Sequence, residues 1–257
     1  MNLILLDSAE LDAEGVATLA DARSTHITRV LNAIPGQQVR IGLADGPFGV
    51  GTVTSVEGDS VSLQCAFETA APARPRVDLL LALPRPKVMR RLWSQLAALG
   101  VGRIILTNAA RVERHYFDTH VLEPSTYLPL LREGLQQARD TLIPRVEIHR
   151  RLKVLVEDHL GALFPAGARL LAEPGRGQPL REVLRPSLHV RATGAEPDRV
   201  LLAMGPEGGW TAFELNLLAA HGFAAVSLGT RTLRSDTAAI ALLALAHDAL
   251  RNPDAAG

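Results

Sequence analysis

The segment 201–210, LLAMGPEGGW, constrains the fold most, because a strongly apolar run stops abruptly in a loop of glycine and proline. Gly205, Gly208 and Gly209 permit positive φ angles and a close approach of the backbone to a ligand, while Pro206 stiffens the turn. The pattern indicates a buried strand that ends in a ligand-binding loop at the carboxyl edge of an α/β sheet. A turn that merely joins a strand to a helix is an equally valid interpretation of this segment alone.

A helix is predicted directly after this loop, since Thr211 and Glu214 have the T-x-x-E spacing of a capping box. A further strand candidate, Ala224–Leu228, precedes the segment 229–239, GTRTLRSDTAA, and an Ala/Leu-rich helix that reaches about Leu250. The two loops are one strand–helix unit apart, so both are expected on the same edge of a parallel sheet.

The chain is predicted to contain two regions with different patterns. Short strands at 39–43, 49–56 and 61–67 are separated by turn signals and favour a small β-barrel. An Ala/Pro-rich stretch follows, and beyond Val77 strands alternate with helices, which is typical of a parallel sheet. We therefore place the barrel at 1–70, a linker at 71–76 and an α/β domain at 77–257. The strands of that domain are predicted at 77–83, 103–107, 169–172, 199–204 and 224–228, and its helices at 87–99, 125–139, 152–163, 211–220 and 235–250.

The charge distribution favours a polyanionic partner for one part of the chain. The formal net charge is zero, yet residues 76–157 carry 14 Lys and Arg against 8 Asp and Glu, whereas residues 1–75 carry 4 against 9. Nucleic-acid affinity comes largely from neutralised phosphates, so the middle third is the predicted RNA face. A solvated helix face is the alternative for any single arginine.

Other chemistries find no motif in the sequence. A phosphate-binding P-loop, a dinucleotide-binding glycine motif and a nucleophile elbow are all absent from it. The single cysteine, Cys65, excludes an internal disulfide and a paired-cysteine metal motif, so no metal is expected. A reducing compartment follows, and we expect a cytoplasmic protein.

Four segments together resemble a known family. The pair GPEGGW and SLGTRTLRSDTAA, with VDLLLALPRPKVMRRLWSQLAALGVG at 77–102 and LLAEP at 170–174, is similar to the SPOUT-class methyltransferases. The resemblance is strongest to RsmE, the small-subunit ribosomal RNA uridine-N3 methyltransferases, whose usual pattern reads GPEGGF and then LG-x-RILR-x-ETA. It implies an α/β fold with a SPOUT-type parallel sheet and a C-terminal trefoil knot, preceded by a PUA-like RNA-binding β-barrel. It also implies S-adenosylmethionine as cofactor and a homodimer formed through the knot region.

The resemblance implies a set of site residues. Arg234 is the expected catalytic residue, which would stabilise negative charge on the uracil carbonyls. A structural arginine that pairs with Asp236 or caps the knot loop is the alternative. Glu207 would act near the sulfonium or tie its loop through backbone hydrogen bonds, and we favour the second role. The residues expected to bind the cofactor are Leu171, Ala172, Glu173, Met204, Gly205, Gly208, Gly209, Leu228, Gly229, Leu233, Arg234, Thr237 and Ala238.

The expected substrate is a uridine of 16S ribosomal RNA, methylated at N3 on the assembled small subunit. A non-catalytic RNA-binding or ribosome-assembly protein, or a methyltransferase for another RNA, are the alternatives. They stay open because the acids of the family's ELG triplet and E-Q-[CS]-x-R segment are missing here, where Ala98-Leu99-Gly100 and Gln136-Gln137-Ala138-Arg139 stand. The residues expected to bind RNA are Arg23, Arg29, Arg85, Lys87, Arg90, Arg91 and Arg139.

Overall fold

The computed structural model describes residues 2–189 and 199–251. The chain forms two compact units. The first unit comprises Met1–Arg74 and Pro129–Ile143, and the second comprises Pro75–Leu128 and Pro144–Gly257. The first unit therefore takes in a segment from the middle of the chain, which the sequence placed within the α/β domain.

A five-stranded mixed sheet forms the body of the first unit, in the order β1-β3-β4-β5-β2. Strand β1 runs parallel to β3, and the remaining pairs are antiparallel. A bulge between Val53 and Ser55 interrupts the register of β4 and β5, and such a bulge bends a strand and increases its twist. The strands are β1 (Ile4–Leu6), β2 (Val16–Leu19), β3 (Gln38–Leu43), β4 (Phe48–Glu57) and β5 (Ser60–Phe67).

The core of the first unit lies on one face of this sheet. In the first part of β3, Gln38 and Arg40 are exposed while Val39 and Ile41 are buried, which is the period-2 alternation of a half-buried strand. Helix α1 (Ala22–Thr25) continues into a π-helical turn, His26–Val30, and contributes the fully buried Ile27 to this core. The three strands predicted here are present, whereas the short strands β1 and β2 were not predicted.

A seven-stranded sheet forms the second unit, in the order β10-β12-β9-β11-β6-β7-β8, and every pair in it is parallel. The predicted mixed α/β fold with a parallel sheet is thus confirmed. The strands are β6 (Val77–Ala82), β7 (Val101–Thr107), β8 (Arg145–His149), β9 (Ala168–Ala172), β10 (Gln178–Pro179), β11 (Val200–Met204) and β12 (Phe223–Ser227).

Helices alternate with these strands. Two of them bury long apolar faces: α2 through Met89, Leu92, Trp93 and Leu96, and α8 through residues that include Leu242 and Leu243. The helices are α2 (Pro86–Ala98), α3 (Pro124–Ala138), α4 (Leu152–Val154), α5 (Leu160–Leu163), α6 (Leu180–His189), α7 (Ala212–Ala220) and α8 (Ser235–Leu250).

The predicted and observed elements differ in a few places. The single helix predicted at 152–163 is divided by a π-helical turn, Leu155–His159, between α4 and α5. Strands β8 and β10 and helix α6 were not predicted, because β8 carries charged residues along its length and β10 has only two residues. The strands β6, β9, β11 and β12, which position the candidate site, lie within two residues of their predicted bounds.

Candidate functional site

A cavity of about 340 Å³ opens at the carboxyl edge of the seven-stranded sheet. Its wall is formed by the loops that follow the neighbouring strands β9, β11 and β12, together with the first turns of α8. The carboxyl edge of an open parallel sheet is where such folds bind ligands, and this volume falls in the range of small-molecule sites.

The cavity brings together ten of the thirteen residues predicted to bind a cofactor. The other three lie elsewhere: Leu171 is buried within β9, and Thr237 and Arg234 are exposed at the beginning of α8. The ten residues in the wall are Ala172, Glu173, Met204, Gly205, Gly208, Gly209, Leu228, Gly229, Leu233 and Ala238.

Further residues of the wall were not among those predicted to bind the cofactor, although one of them, Glu207, was expected near the sulfonium or as a tie within its loop. Most flank the motif positions or face them from the next helix turn, and Arg231 stands within the LG-x-R pattern that was used to locate the loop. Motif spacing indicated the loops, whereas the inward-facing residues depend on how the loops fold against one another. The additional residues are Pro174, Pro206, Glu207, Trp210, Leu215, Val226, Arg231, Thr232, Ser235 and Leu242.

The loop after β11 requires its glycines for two different reasons. A Cβ on Gly205 would lie 2.8 Å from Nε1 of Trp210, so the indole occupies the space that a side chain would need. Gly209 adopts a φ of +74°, and its N–H donates to the Pro206 carbonyl at 2.8 Å. The loop is therefore a tight turn on which the Trp210 ring packs.

Two side chains hold this loop in place. Arg111 donates from its guanidinium to the Gly208 carbonyl and packs its methylenes along Gly208. The buried carboxylate of Glu214 accepts the N–H of Ala110 at 2.7 Å and the N–H of Thr211 at 2.7 Å. The predicted capping box of Thr211 and Glu214 is confirmed, and it also ties the loop after β7 to the loop after β11.

The loops after β9 and β12 are joined through their backbones. The N–H of Glu173 donates to the Val226 carbonyl at 3.0 Å, and the N–H of Gly175 donates to the Gly229 carbonyl at 3.3 Å. Gly229 itself has a φ of +107°, a conformation that other residues rarely adopt. Backbone groups of adjoining loops therefore make up much of this side of the cavity.

Trp210 contributes an unpaired donor to the cavity wall. Its side chain is buried, with 8 % of the residue exposed, and Nε1 has no hydrogen-bond partner among the described residues. An indole N–H is a donor only, and a buried donor without an acceptor costs about 1–3 kcal/mol. The residues of the cavity thus fit a ligand that brings a hydrogen-bond acceptor.

Arg234 is not paired with Asp236, which was one of the two structural alternatives for this arginine. Asp236 instead accepts from Nη2 of Arg91 on α2 at 2.9 Å, and this guanidinium holds the pKa of the Asp236 carboxyl below its usual range. Arg234 is the N-cap residue of α8, where its carbonyl accepts the Ala238 N–H at 2.8 Å, and its side chain is exposed.

Glu207 is held by an ion pair rather than by the backbone hydrogen bonds that were expected. Nε of Arg85 lies 3.2 Å from its carboxylate, and both side chains are largely exposed. Two of the arginines predicted to bind RNA, Arg85 and Arg91, are thus engaged with carboxylates beside the cavity. Lys87 and Arg90 are exposed on α2 between them.

The predicted RNA-binding residues of the first unit differ in their surroundings. Arg23 donates to Glu10 at 2.9 Å and to Asp21 at 2.7 Å, which raises its pKa and lowers the pKa of both carboxyls. Arg29 lies 3.6 Å from Asp59 in an exposed pair. Arg139 makes no ion pair with any residue that the structure describes.

A comparison of the sequence with known protein families identifies the family of this chain. Residues 72–247 match the family model described as RNA methyltransferase domain. The chain belongs to this family. The predicted resemblance to RNA methyltransferases is confirmed, and the matched range contains every loop of the cavity.

Similar proteins extend the match over nearly the whole chain. Ribosomal RNA small subunit methyltransferase E of Treponema pallidum is 28% identical over 248 residues, which cover 95% of this chain and 90% of that protein. Ribosomal RNA small subunit methyltransferase E 1 of Borreliella burgdorferi is 24% identical over 242 residues, covering 94% of this chain and 95% of that protein.

A solved structure shares the fold. The ribosomal RNA small subunit methyltransferase E of Neisseria gonorrhoeae, bound to S-adenosylmethionine, matches with a TM-score of 0.74 at 20% identity. The match covers 96% of this chain and 97% of that one. Both the mixed sheet of the first unit and the parallel sheet of the methyltransferase domain therefore fall within the shared region.

Two other findings concern metal ions and membranes. Within residues 2–189 and 199–251, no three His, Cys, Asp or Glu side chains are grouped to hold a metal ion. No helix in the same part of the chain has the length and apolar character needed to cross a membrane.

Proposed function

We propose that this protein uses S-adenosylmethionine to methylate N3 of a uridine in 16S ribosomal RNA, on the assembled small subunit. The observation that carries the proposal is the convergence of three motif loops, after β9, β11 and β12, on one cavity. The relatives from Treponema pallidum and Borreliella burgdorferi are named as small-subunit ribosomal RNA methyltransferases. The Neisseria gonorrhoeae structure with the same fold contains S-adenosylmethionine.

The cavity fits this cofactor. Glycines 205, 208, 209 and 229 leave backbone groups accessible, and Trp210 supplies a buried N–H that needs an acceptor. Backbone N–H and C=O groups suit the edge of an adenine, whereas Met204 and Leu242 supply apolar wall. When bound, S-adenosylmethionine supplies an electrophilic methyl group.

The protein's own task is to orient the base and to stabilise charge. Uracil N3 lies on the Watson–Crick edge, so the uridine must be unpaired or extruded from its stack. Loss of the N3 proton leaves negative charge on the uracil carbonyls, which a nearby cation stabilises. Arg234 is the proposed residue for this role. Arg231, which lines the cavity, is the second candidate.

We further propose that the second unit contains the trefoil knot of the SPOUT class, within a domain at 77–257 of which the segment Pro129–Ile143 belongs to the first unit. The chain passes from β9 to β11 on one side and then to β12 on the other side of β9. The hydrogen bond between Gly175 and Gly229 links the loops that this path brings together. Residues 1–70 form the PUA-like barrel and 71–76 the linker, which is supported by the five-stranded sheet.

A homodimer formed through the knot region is part of the same proposal. The helix α8 follows the loop after β12, and it exposes 37% of Ile240 and 45% of Leu245 while its other face is buried. Exposed aliphatic residues on a helix beside the cavity are suited to burial against a second copy. The protein acts in the cytoplasm, where small ribosomal subunits are its substrate.

The test is transfer of labelled methyl from S-adenosylmethionine to small subunits that lack uridine-N3 methylation. Free ribosomal RNA and transfer RNA are parallel substrates, and mass spectrometry identifies the modified nucleoside. We expect N3-methyluridine with assembled subunits. Transfer of label to another RNA would identify that RNA as the substrate instead. No transfer to any RNA would favour the alternative, a non-catalytic RNA-binding protein.

The two arginine candidates are separated by single substitutions. Replacement by alanine of the residue that stabilises the developing charge is expected to lower kcat by a factor of about 10²–10³, with little change in cofactor affinity. We expect this result for Arg234→Ala. Arg181→Ala, which removes an exposed charge from α6, is the matched control. If Arg231→Ala has the large effect and Arg234→Ala does not, the catalytic assignment moves to Arg231.

A further inference from the structure

The first unit contains a second cavity, which takes no part in the proposed methyl transfer. Its volume is about 570 Å³, and we call it the N-terminal cavity. Residues from β1, β3, the turn after the π-helix and the end of α3 line it, all within the first unit. Its wall includes Arg40 and Arg139 and contains no carboxylate. One residue of this wall, Arg139, was predicted to bind RNA and lies in the segment that resembles E-Q-[CS]-x-R.

Arg40 and Arg139 differ from the other basic residues of the first unit in their ion pairing. The first unit contains six Arg and Lys residues. Four of them lie within ion-pair distance of carboxylates: Arg23 with Glu10 and Asp21, Arg29 with Asp59, Arg74 with Asp45, and Arg132 with Asp7.

The other two arginines, Arg40 and Arg139, make no ion pair with any described residue, and both line the N-terminal cavity. The surrounding sequence is rich in acids, yet no carboxylate of residues 2–189 or 199–251 pairs with these cations. Two unneutralised cations in a concave wall attract an anion. Guanidinium groups match phosphate oxygens in particular, because their N–H groups form a fork.

The backbone at Arg139 supports a role for its side chain. Arg139 has a φ of +60° at the end of α3, where the N–H of Asp140 donates back to the Leu135 carbonyl at 3.0 Å. Helices that end in this left-handed conformation favour Gly or Asn, since a Cβ is strained there. An arginine in this position keeps a strained backbone and points to a use for its guanidinium.

The remaining wall suits the base of a nucleotide. Leu31, Ala33 and Val39 supply apolar surface, and amide side chains from Asn2 and Gln37 stand beside it. Oε1 of Gln37 accepts the Ile34 N–H at 3.1 Å, which leaves the amide NH₂ free to donate. Apolar contact and amide hydrogen bonds at base edges are how proteins recognise unstacked bases.

His26 adds an unsatisfied polar atom to the same wall. Its Nε2 is buried and has no hydrogen-bond partner in the described structure. An imidazole nitrogen accepts or donates according to its tautomer, so it can pair with either kind of group on a base. A ligand that fills the cavity removes the cost of leaving this atom unpaired.

We infer that the N-terminal cavity binds one unstacked nucleotide of an RNA strand, with its phosphate at Arg40 and Arg139 and its base against the apolar wall. The choice of RNA as the source of the nucleotide rests on the proposed function; the site itself rests on the unpaired arginines. The first unit therefore holds RNA through this cavity rather than through the ion-paired Arg23 and Arg29.

The test measures the affinity of the full chain for a fluorescent single-stranded RNA at several salt concentrations. Arg40→Gln and Arg139→Gln are each expected to weaken binding about fivefold to tenfold and the double variant more. Each lost phosphate contact is also expected to reduce the slope of log K against log salt by about 0.7. Arg74→Gln removes the same charge from the same unit outside the cavity, and we expect the slope and affinity of the wild type.

Arg139→Gly separates binding from folding. Glycine relieves the left-handed strain, so this variant is expected to melt at or above the wild-type temperature while it loses RNA affinity as Arg139→Gln does. Wild-type RNA affinity in Arg139→Gly and in the double variant would overturn the inference.

Two further ligands define what the cavity recognises. Uridine monophosphate is expected to shift the His26 ring resonances in NMR spectra, and inorganic phosphate alone is expected to shift them much less. Equal shifts with both would overturn the nucleotide site in favour of simple anion binding. A wild-type protein that binds RNA through Arg40 and Arg139 but methylates none refutes the proposed function and leaves this site standing. Methylation of RNA by a protein whose RNA binding does not depend on Arg40 and Arg139 refutes this site and leaves the proposed function standing.

Discussion

The two cavities of this protein are built in opposite ways. The cavity of the second unit is lined by loops in which glycine exposes the backbone. Its shape depends on glycine positions such as Gly205, where a Cβ would collide with a neighbouring side chain. The N-terminal cavity is lined by polar side chains such as Arg40 and Arg139 together with apolar ones such as Leu31 and Val39. The first kind constrains residue spacing and so leaves a motif in the sequence. The second kind depends on side chains from separate segments, of which Arg139 lies in the segment that resembles E-Q-[CS]-x-R.

The two units also use their arginines differently. In the first unit, carboxylates from distant parts of the chain neutralise four of six basic side chains. In the second unit, exposed basic residues lie beside the cavity on α2 and at its N-cap. Arg91 of α2 pairs with Asp236, and the N-cap residue Arg85 pairs with Glu207. A count of charges along the sequence therefore does not identify which arginines are free to meet RNA.

The largest effect is expected where a buried side chain holds the backbone-lined cavity together. Glu214→Ala would remove the acceptor of the Ala110 and Thr211 N–H groups, both of which form partly buried hydrogen bonds to this carboxylate. We expect a loss of about 2–4 kcal/mol in the free energy of unfolding, measured by urea denaturation. Glu113→Ala, at an exposed position, should change it by less than about 0.5 kcal/mol. Similar values for the two variants would show that the loop does not depend on Glu214.

A smaller effect is expected where a single methyl group enters the same cavity. Gly205→Ala would place a Cβ 2.8 Å from Nε1 of Trp210 and displace the indole. We expect S-adenosylmethionine affinity to fall at least tenfold, which is about 1.4 kcal/mol, in isothermal titration calorimetry. Gly161→Ala, where a Cβ meets nothing within 4 Å, is the control. Unchanged affinity in Gly205→Ala would mean that this wall yields, and the contrast between the two cavities would weaken.

The smallest effect concerns the paired arginine of the first unit. Arg23 lowers the pKa of Glu10 and Asp21 through hydrogen bonds, so the pairing stabilises the fold above the unfolded pKa values of about 4. That stability is lost as pH falls through the lowered folded values.

Arg23→Gln is therefore expected to cost about 1 kcal/mol at pH 7 and less near pH 3, as measured by urea denaturation at each pH. RNA affinity should stay within about twofold of the wild type, in contrast to Arg40→Gln. A fivefold loss of RNA affinity in Arg23→Gln would restore Arg23 as an RNA contact.

The parts of the site that could be predicted are those that local chemistry fixes. The strands β9, β11 and β12 are short apolar runs bounded by turn residues, and the capping box after β11 is a spacing of two residue types. The resemblance to a known family then supplied the cofactor residues, ten of which line the cavity. Arg231 and Trp210 were missed because their position in the wall depends on loop packing.

The sequence by itself determined that a glycine loop follows a buried strand, that a capped helix comes next, and that strands alternate with helices beyond Val77. Each strand, loop and helix in this pattern is specified by residues that are close together in the sequence. Only the tertiary structure decided that Arg91 meets Asp236, that Arg23 is enclosed by Glu10 and Asp21, and that 129–143 belongs with the first unit. These partners are distant in sequence or are selected among many carboxylates, and a side chain's charge does not reveal which one the fold will bring to it.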